Sequence, residues 1–382
     1  MTDAVTRNGA RLAQLERYLA EDPVNSALLA DVFDEAIAAG RFDRATTHLQ
    51  AAQEQGLENP GWISRAARLA IATGAWTHAL EHLDRLHAKA GDHPAISHDV
   101  AFVRLRTGDF AACRSELEPW LRNAEPRGVD LHTLGPLQVL WLRATHHMGQ
   151  LEEATDWAKE QLAQGTLHPA AAGVAALIAI DLGEFVLARQ LLQPTIDTGS
   201  SVAEGLLARA SIAIAERDHD AAVTVLRQAL ELNPEEGRTW ATLGMANLQA
   251  RDFAQARVQF ARATALMPGH VGTWHGLGWT CLLLHDLPAA LSAFQQALAM
   301  DPAFGESHGA VGLTLLLAGR RDEAEPHLER ADRLDRHNVT SRYARALLAG
   351  RAQDRAALRD LAARLLDRPG VFRPRLSDEV DI

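Results

Sequence analysis

The sequence predicts an all-α chain of antiparallel helix pairs stacked one on the next, and three observations carry that prediction. A small residue returns at one interval along most of the chain, a glycine returns at the same interval in a second phase, and one pattern of large and small residues is written out almost unchanged in two consecutive copies. Such a period is the signature of a repeat array, in which each unit buries its apolar face only against its neighbours.

The small-residue ladder marks the second helix of each pair. Ala154, Ala188, Ala222, Ala256, Ala290 and Ala324 stand 34 residues apart, and Ala45, Ala79 and Cys113 keep that interval ahead of them. Four residues after each comes a bulky apolar side chain, Leu49, Leu83, Leu117, Leu192, Leu226, Phe260, Phe294 or Leu328, with Ala158 the exception. A small residue one turn before a large one places both on one helical face, where the first admits a neighbouring helix and the second fills the space beside it.

The glycine ladder closes the first helix. Gly40, Gly74, Gly108, Gly149, Gly183 and Gly319 share one place in their repeats, where a left-handed cap would penalise a β-carbon. Arg217, Arg251 and His285 hold that place in three copies, and those turns are expected to run through Asp218, Asp252 and Asp286 with less ideal geometry. Asn59-Pro60, His93-Pro94, Asn233-Pro234 and Asp301-Pro302 read as junctions, with the first residue capping and the proline in the first helical turn.

The clearest copy runs Trp240-x-x-Leu243-Gly244-x-x-Asn247, then Ala256-x-x-x-Phe260, Ala263 and Pro268. It returns as Trp274, Leu277, Gly278, Cys281, Ala290, Phe294, Ala297 and Pro302. This pattern resembles the tetratricopeptide repeat (TPR) family. The resemblance implies a right-handed superhelical solenoid of about nine full repeats with half repeats at the ends, and a protein-binding scaffold or adaptor rather than an enzyme. It implies no cofactor.

Phase divides the chain. Residues 1–124 form a front sub-array opening with a lone helix (Leu12, Leu15, Tyr18, Leu19). The interval from Cys113 to Ala154 is too long, and residues 125–134, entered through Asn123-Ala124-Glu125-Pro126-Arg127-Gly128, are an irregular kink. Residues 135–368 form the rear sub-array. Its last helix pair is made polar by Arg355, Arg359, Asp360, Arg364 and Asp367, as a terminal cap requires. Residues 369–382 read as a loose tail.

At 47% hydrophobic and 23% charged the chain is globular, and its net charge of −11 argues against nucleic acid as a partner. No apolar run reaches membrane-spanning length and the first residues lack the order of a secretory signal, so no membrane insertion and a cytoplasmic location are expected. Cys113 and Cys281 fall at packing positions and read as buried small hydrophobes. Lys89 and Lys159 are the only lysines, and this bias toward arginine points to a GC-rich bacterial genome.

Candidate contact residues follow from the resemblance, which places the second, fifth, ninth and twelfth residues of each repeat on the concave wall. The rear wall then presents Leu177, Ile180, Leu207, Ile214, Met245, Leu248, His275, Trp279, Leu282, Leu313 and Leu316. So apolar a stripe is expected to receive an apolar or amphipathic segment, from a protein or peptide partner or from the chain's own end. The plainer reading is that neighbouring helices fill the stripe in a tightly wound array. Arg104, Arg106 and Arg143 form a possible basic spot near the kink.

The Lys, Asn and Arg of a chaperone-binding carboxylate clamp are missing, since Leu207, Ser211, Ala241, Met245, His275, Trp279, Gly309 and Leu313 fill those places. Ala208, Thr242, Gly276 and Ala310 replace the asparagine ladder of TPR-bearing glycosyltransferases. His78 and His82 beside Glu81, and the pair His146-His147, have spacings that can ligate metal. Among 17 histidines such spacings arise by chance, and a solvated surface is the simpler reading. Catalytic residues are not apparent. Three functions stay open: an adaptor gathering a partner in the groove, an accessory subunit presenting substrate to a modifying enzyme (a glycosyltransferase, sulfotransferase or peptide-tailoring oxygenase), and a self-associating structural protein.

Overall fold

The computed structural model of the chain describes residues 2–122, 129–197, 203–349 and 361. Among them every regular element is an α-helix. Of the kink expected at 125–134, residues 125–128 lie outside the described residues and 131–134 are instead the first residues of a helix. The polar cap residues Arg355, Arg359, Asp360, Arg364 and Asp367 and the tail from 369 also lie outside the described residues. Two compact units divide the chain, residues 1–144 and 145–382, the division falling inside α8 (Leu131–His147).

The front unit opens with α1 (Thr2–Glu21). There follow the pairs α2 (Ser26–Ala38) with α3 (Phe42–Glu54), α4 (Pro60–Ala72) with α5 (Trp76–Ala90), and α6 (Pro94–Arg106) with α7 (Phe110–Leu121). Leu12 of α1 is buried with Leu29, Val32 and Phe33 of α2, and Phe33 meets Trp62 of α4 edge-on at 6.1 Å. A lone first helix therefore covers the face that the first pair would otherwise expose.

The rear unit continues with α9 (Leu151–Gln164), then α10 (Pro169–Asp181) with α11 (Phe185–Asp197), α12 (Ala203–Ala215) with α13 (His219–Leu232), and α14 (Gly237–Gln249) with α15 (Phe253–Leu266). It ends with α16 (Val271–Leu283) and α17 (Leu287–Met300), α18 (Gly305–Leu317) and α19 (Arg321–Leu334), and α20 (Val339–Leu348). No helix among the described residues is long and apolar enough to cross a membrane.

Packing explains the ladders. Ala45, Ala79, Cys113, Ala154, Ala188, Ala222, Ala256, Ala290 and Ala324 are all buried, none more than 1% exposed. The large partner one turn later is buried from Leu83 to Leu328, while Leu49 is half-buried. A further constraint comes from Gly278, where a β-carbon would lie 2.5 Å from Phe294 Cε1, and from Gly276, where it would lie 2.5 Å from Phe260 Cε1. The two phenylalanine rings occupy the space those glycines leave, so α16 sits closer to α15 and α17 than any larger residue would permit.

The turns depart from the sequence reading in one respect. Arg217, Arg251 and His285 adopt φ of +63°, +65° and +63°, close to the +67° to +80° of the six ladder glycines. Turn geometry is thus conserved without glycine, and the aspartates that follow do not carry the turn. Asp218, Asp252 and Asp286 instead cap the next helix, accepting from the backbone N–H of Ala221, Gln255 and Ala289 at 3.1, 3.1 and 3.2 Å. At the junctions Asn59 and His93 cap as expected. Asn233 and Asp301 lie further from the helix that follows, accepting from the N–H of Glu235 and Ala303, and α14 is capped by Glu236.

Candidate functional site

The residues expected to wall an open channel are enclosed. Leu177, Leu207, Met245, Leu248, His275, Trp279, Leu282 and Leu313 are between 0 and 7% exposed, and Leu316 alone of the nine is half-buried. The expectation of an apolar wall facing water is therefore corrected. The physical reason is most legible in α10, which is apolar round its whole circumference and so has no face to turn outward. In α10 every residue from Ala171 to Ile180 is buried. That helix packs directly on α12, through a crossing so close that a β-carbon on Gly173 would lie 2.7 Å from the backbone nitrogen of Gly205.

Trp279 points between helix layers. Its ring meets Phe294 of α17 edge-on, centroids 5.6 Å apart. His275, one turn earlier, lies 5.4 Å from the Phe294 ring and 5.6 Å from that of Phe304, with Nε2 2.9 Å from Ser307 Oγ. Complete burial pushes the His275 pKa down to about 3, so the ring is neutral and acts as a polar rivet between α16 and α18.

Buried polar groups that spacing did not reveal join distant repeats. Asp181, at the end of α10, accepts from Arg238 Nη2 of α14 at 3.2 Å and pairs with His146 Nε2 at 3.0 Å. These three side chains are no more than 5% exposed. Glu306 of α18 accepts from Asn338 Nδ2 at 2.9 Å and from the Thr340 hydroxyl. A sequence pattern of period 34 cannot announce such partners, because each occurs once and pairs across unequal separations.

Of the basic spot, Arg104 is paired with Asp109 at 3.2 Å, Arg106 lies over the Trp76 ring at 5.8 Å, and Arg143 is half-buried. His82 is half-buried in α5, and its pKa is lowered chiefly by burial and next by Arg85. Both cysteines are buried and free. Burial pushes the Cys113 thiol up to about 12 and raises that of Cys281, so neither supplies a thiolate near neutral pH.

No curated protein matches the chain. Among solved structures it is similar to MamA (20% identity over 42% of this chain and 93% of that one, TM-score 0.38) and to MamA residues 41 to the end from Desulfovibrio magneticus RS-1 (20%, 43% and 93%, TM-score 0.39). It is also similar to YrrB, described as a TPR protein with an unusual peptide-binding site (17%, 49% and 97%, TM-score 0.41). Two tetratricopeptide-repeat family models match residues 213–278 and 282–339. Those spans take in α13 to α19, including the copies in which Gly276 and Gly278 receive the Phe260 and Phe294 rings, and this part of the chain is built of tetratricopeptide repeats.

Proposed function

We propose that the chain is a non-catalytic scaffold that holds a protein or peptide partner, and that the partner is met at the edge of the rear array. The observation that carries the reading is a row of apolar residues at the ends of the second helices. Leu232, Leu266, Met300 and Leu334 are the last residues of α13, α15, α17 and α19. Leu232 is 54% exposed, Met300 38% and Leu334 36%, with Leu266 half-buried.

One apolar side chain per repeat, at equivalent places, suits a segment that itself carries apolar residues at regular intervals. The enclosed stripe from Leu177 to Leu313 serves this function indirectly, by fixing the spacing of the repeats. Leu316 is the one member within a partner's reach.

The test compares affinity capture from source cells by the tagged chain, by a Leu232→Glu/Met300→Glu variant and by Trp279→Ala. The scaffold reading predicts that the edge variant keeps its thermal midpoint and loses a partner the parent retains. An edge variant that keeps every partner would remove the row from consideration.

A further inference from the structure

His308 of α18 and His327 of α19 face each other across the last described helix pair, with their Nδ1 atoms 3.2 Å apart and ring centroids at 5.4 Å. Both rings are half-buried. The other nitrogen of His308, Nε2, lies 3.2 Å from the carbonyl oxygen of Pro302. A carbonyl only accepts, so Nε2 carries the hydrogen and the neutral ring must present the lone pair of Nδ1 toward His327. That is how a protein prepares a metal-binding imidazole, with one nitrogen tied to a backbone carbonyl and its tautomer thereby fixed.

The spacing suits a shared ion. Two nitrogens about 2.0–2.1 Å from a tetrahedral metal stand roughly 3.3 Å apart, close to the separation seen. We propose that His308 and His327 form a two-imidazole site for a divalent transition-metal ion of the zinc, nickel or copper class, with water filling the remaining positions. Among the described residues no third His, Cys, Asp or Glu joins them, so the ion keeps an open face. In the ion-free pair the Nδ1–H of His327 bridges to His308. On binding, His327 moves that hydrogen to its own Nε2, so the neutral pair loses no net proton.

Protons compete weakly with the ion here. Burial is the largest cause lowering the pKa of both rings, opposed for His308 by the Pro302 carbonyl and reinforced by Arg330, and reinforced for His327 by His308 itself. Near pH 7 the site is therefore in its ligating form. His78 and His82 provide an internal comparison, since they share one helix without this arrangement.

The experiment is calorimetric titration of the full chain with Zn2+, run on the parent, His308→Gln, His327→Gln and His78→Gln, with circular dichroism confirming that each is folded. One equivalent is expected to bind the parent and the His78 variant alike. Losing an outer partner of a metal ligand weakens binding about 10- to 100-fold, so losing either ligand should weaken it by at least roughly ten-fold. Electron paramagnetic resonance of the Cu2+ form, with two nitrogen couplings reduced to one in each site variant, reads the ligands directly. Equal affinity in all four proteins, equal loss in the His78 variant, or no binding by the parent would each overturn the proposal.

Discussion

Arg251 and Asp252 divide one turn between them: Arg251 takes the left-handed conformation that ends α14, and Asp252 caps the start of α15. The hydrogen bonds are those of the glycine turns, from Arg251 N to Leu248 O at 3.1 Å and from Asp252 N to Asn247 O at 2.8 Å. A β-carbon in this conformation costs roughly 1–2 kcal/mol, and glycine gives part of that back through a more flexible unfolded chain. Each of Arg217→Gly, Arg251→Gly and His285→Gly is therefore expected to stabilise the protein by about 0.5–1 kcal/mol. Asp252→Ala should destabilise it by about 1 kcal/mol. Urea titration of the four variants measures both signs.

The pair Asp181 and Arg238 predicts a larger effect. Breaking a buried ion pair by removing one partner leaves a charge without compensation and costs about 3–5 kcal/mol. Arg238→Met is expected to fall in that range, since the buried Asp181 carboxylate would lose its guanidinium partner. Asp181→Asn combined with Arg238→Met should recover part of the loss, and a double-mutant cycle by chemical denaturation measures the coupling.

His275 makes the rear unit sensitive to acid. Its pKa is about 3 when folded against the ordinary histidine value of 6.5, and the lowered value belongs to a base, so the unfolded chain binds the proton first. Its contribution is complete above pH 6.5 and is lost as pH falls from there toward 3, a span equivalent to roughly 4–5 kcal/mol at most. His275→Gln can keep a bond to Ser307 without titrating and should move the acid-unfolding midpoint to lower pH. An unchanged midpoint would assign the acid transition to other groups.

The repeat architecture was readable because packing admits few residues at Ala256, Gly278 or Phe294, and the restriction recurs every 34 residues. The turns were misread at Arg217, Arg251 and His285, where hydrogen bonds and the following cap hold a left-handed residue that sequence alone assigns to glycine. The junction caps were misplaced at Asn233 and Asp301, since α14 and α18 begin later, after Glu236 and Phe304. The contact surface was harder to read. Period identifies which residues share the first helices, but not how closely successive layers approach. The signal that could have found the closure was composition: the run from Ala171 to Ile180 has no polar side, and a helix apolar all round belongs inside. The pairing of Asp181 with Arg238 left no trace in the pattern, because it joins residues 57 positions apart.

Trp279 tests the central claim most directly, since the rear stripe is either the inside of the array or a surface awaiting a partner. Its ring is fully buried against Phe294, so Trp279→Ala is expected to lower stability by about 3–5 kcal/mol, as truncation of a core aromatic does. Thermal and urea unfolding of the free protein supply the measurement. A midpoint that falls steeply in the absence of any partner is the predicted result, and an unchanged midpoint together with loss of a bound partner would contradict the account.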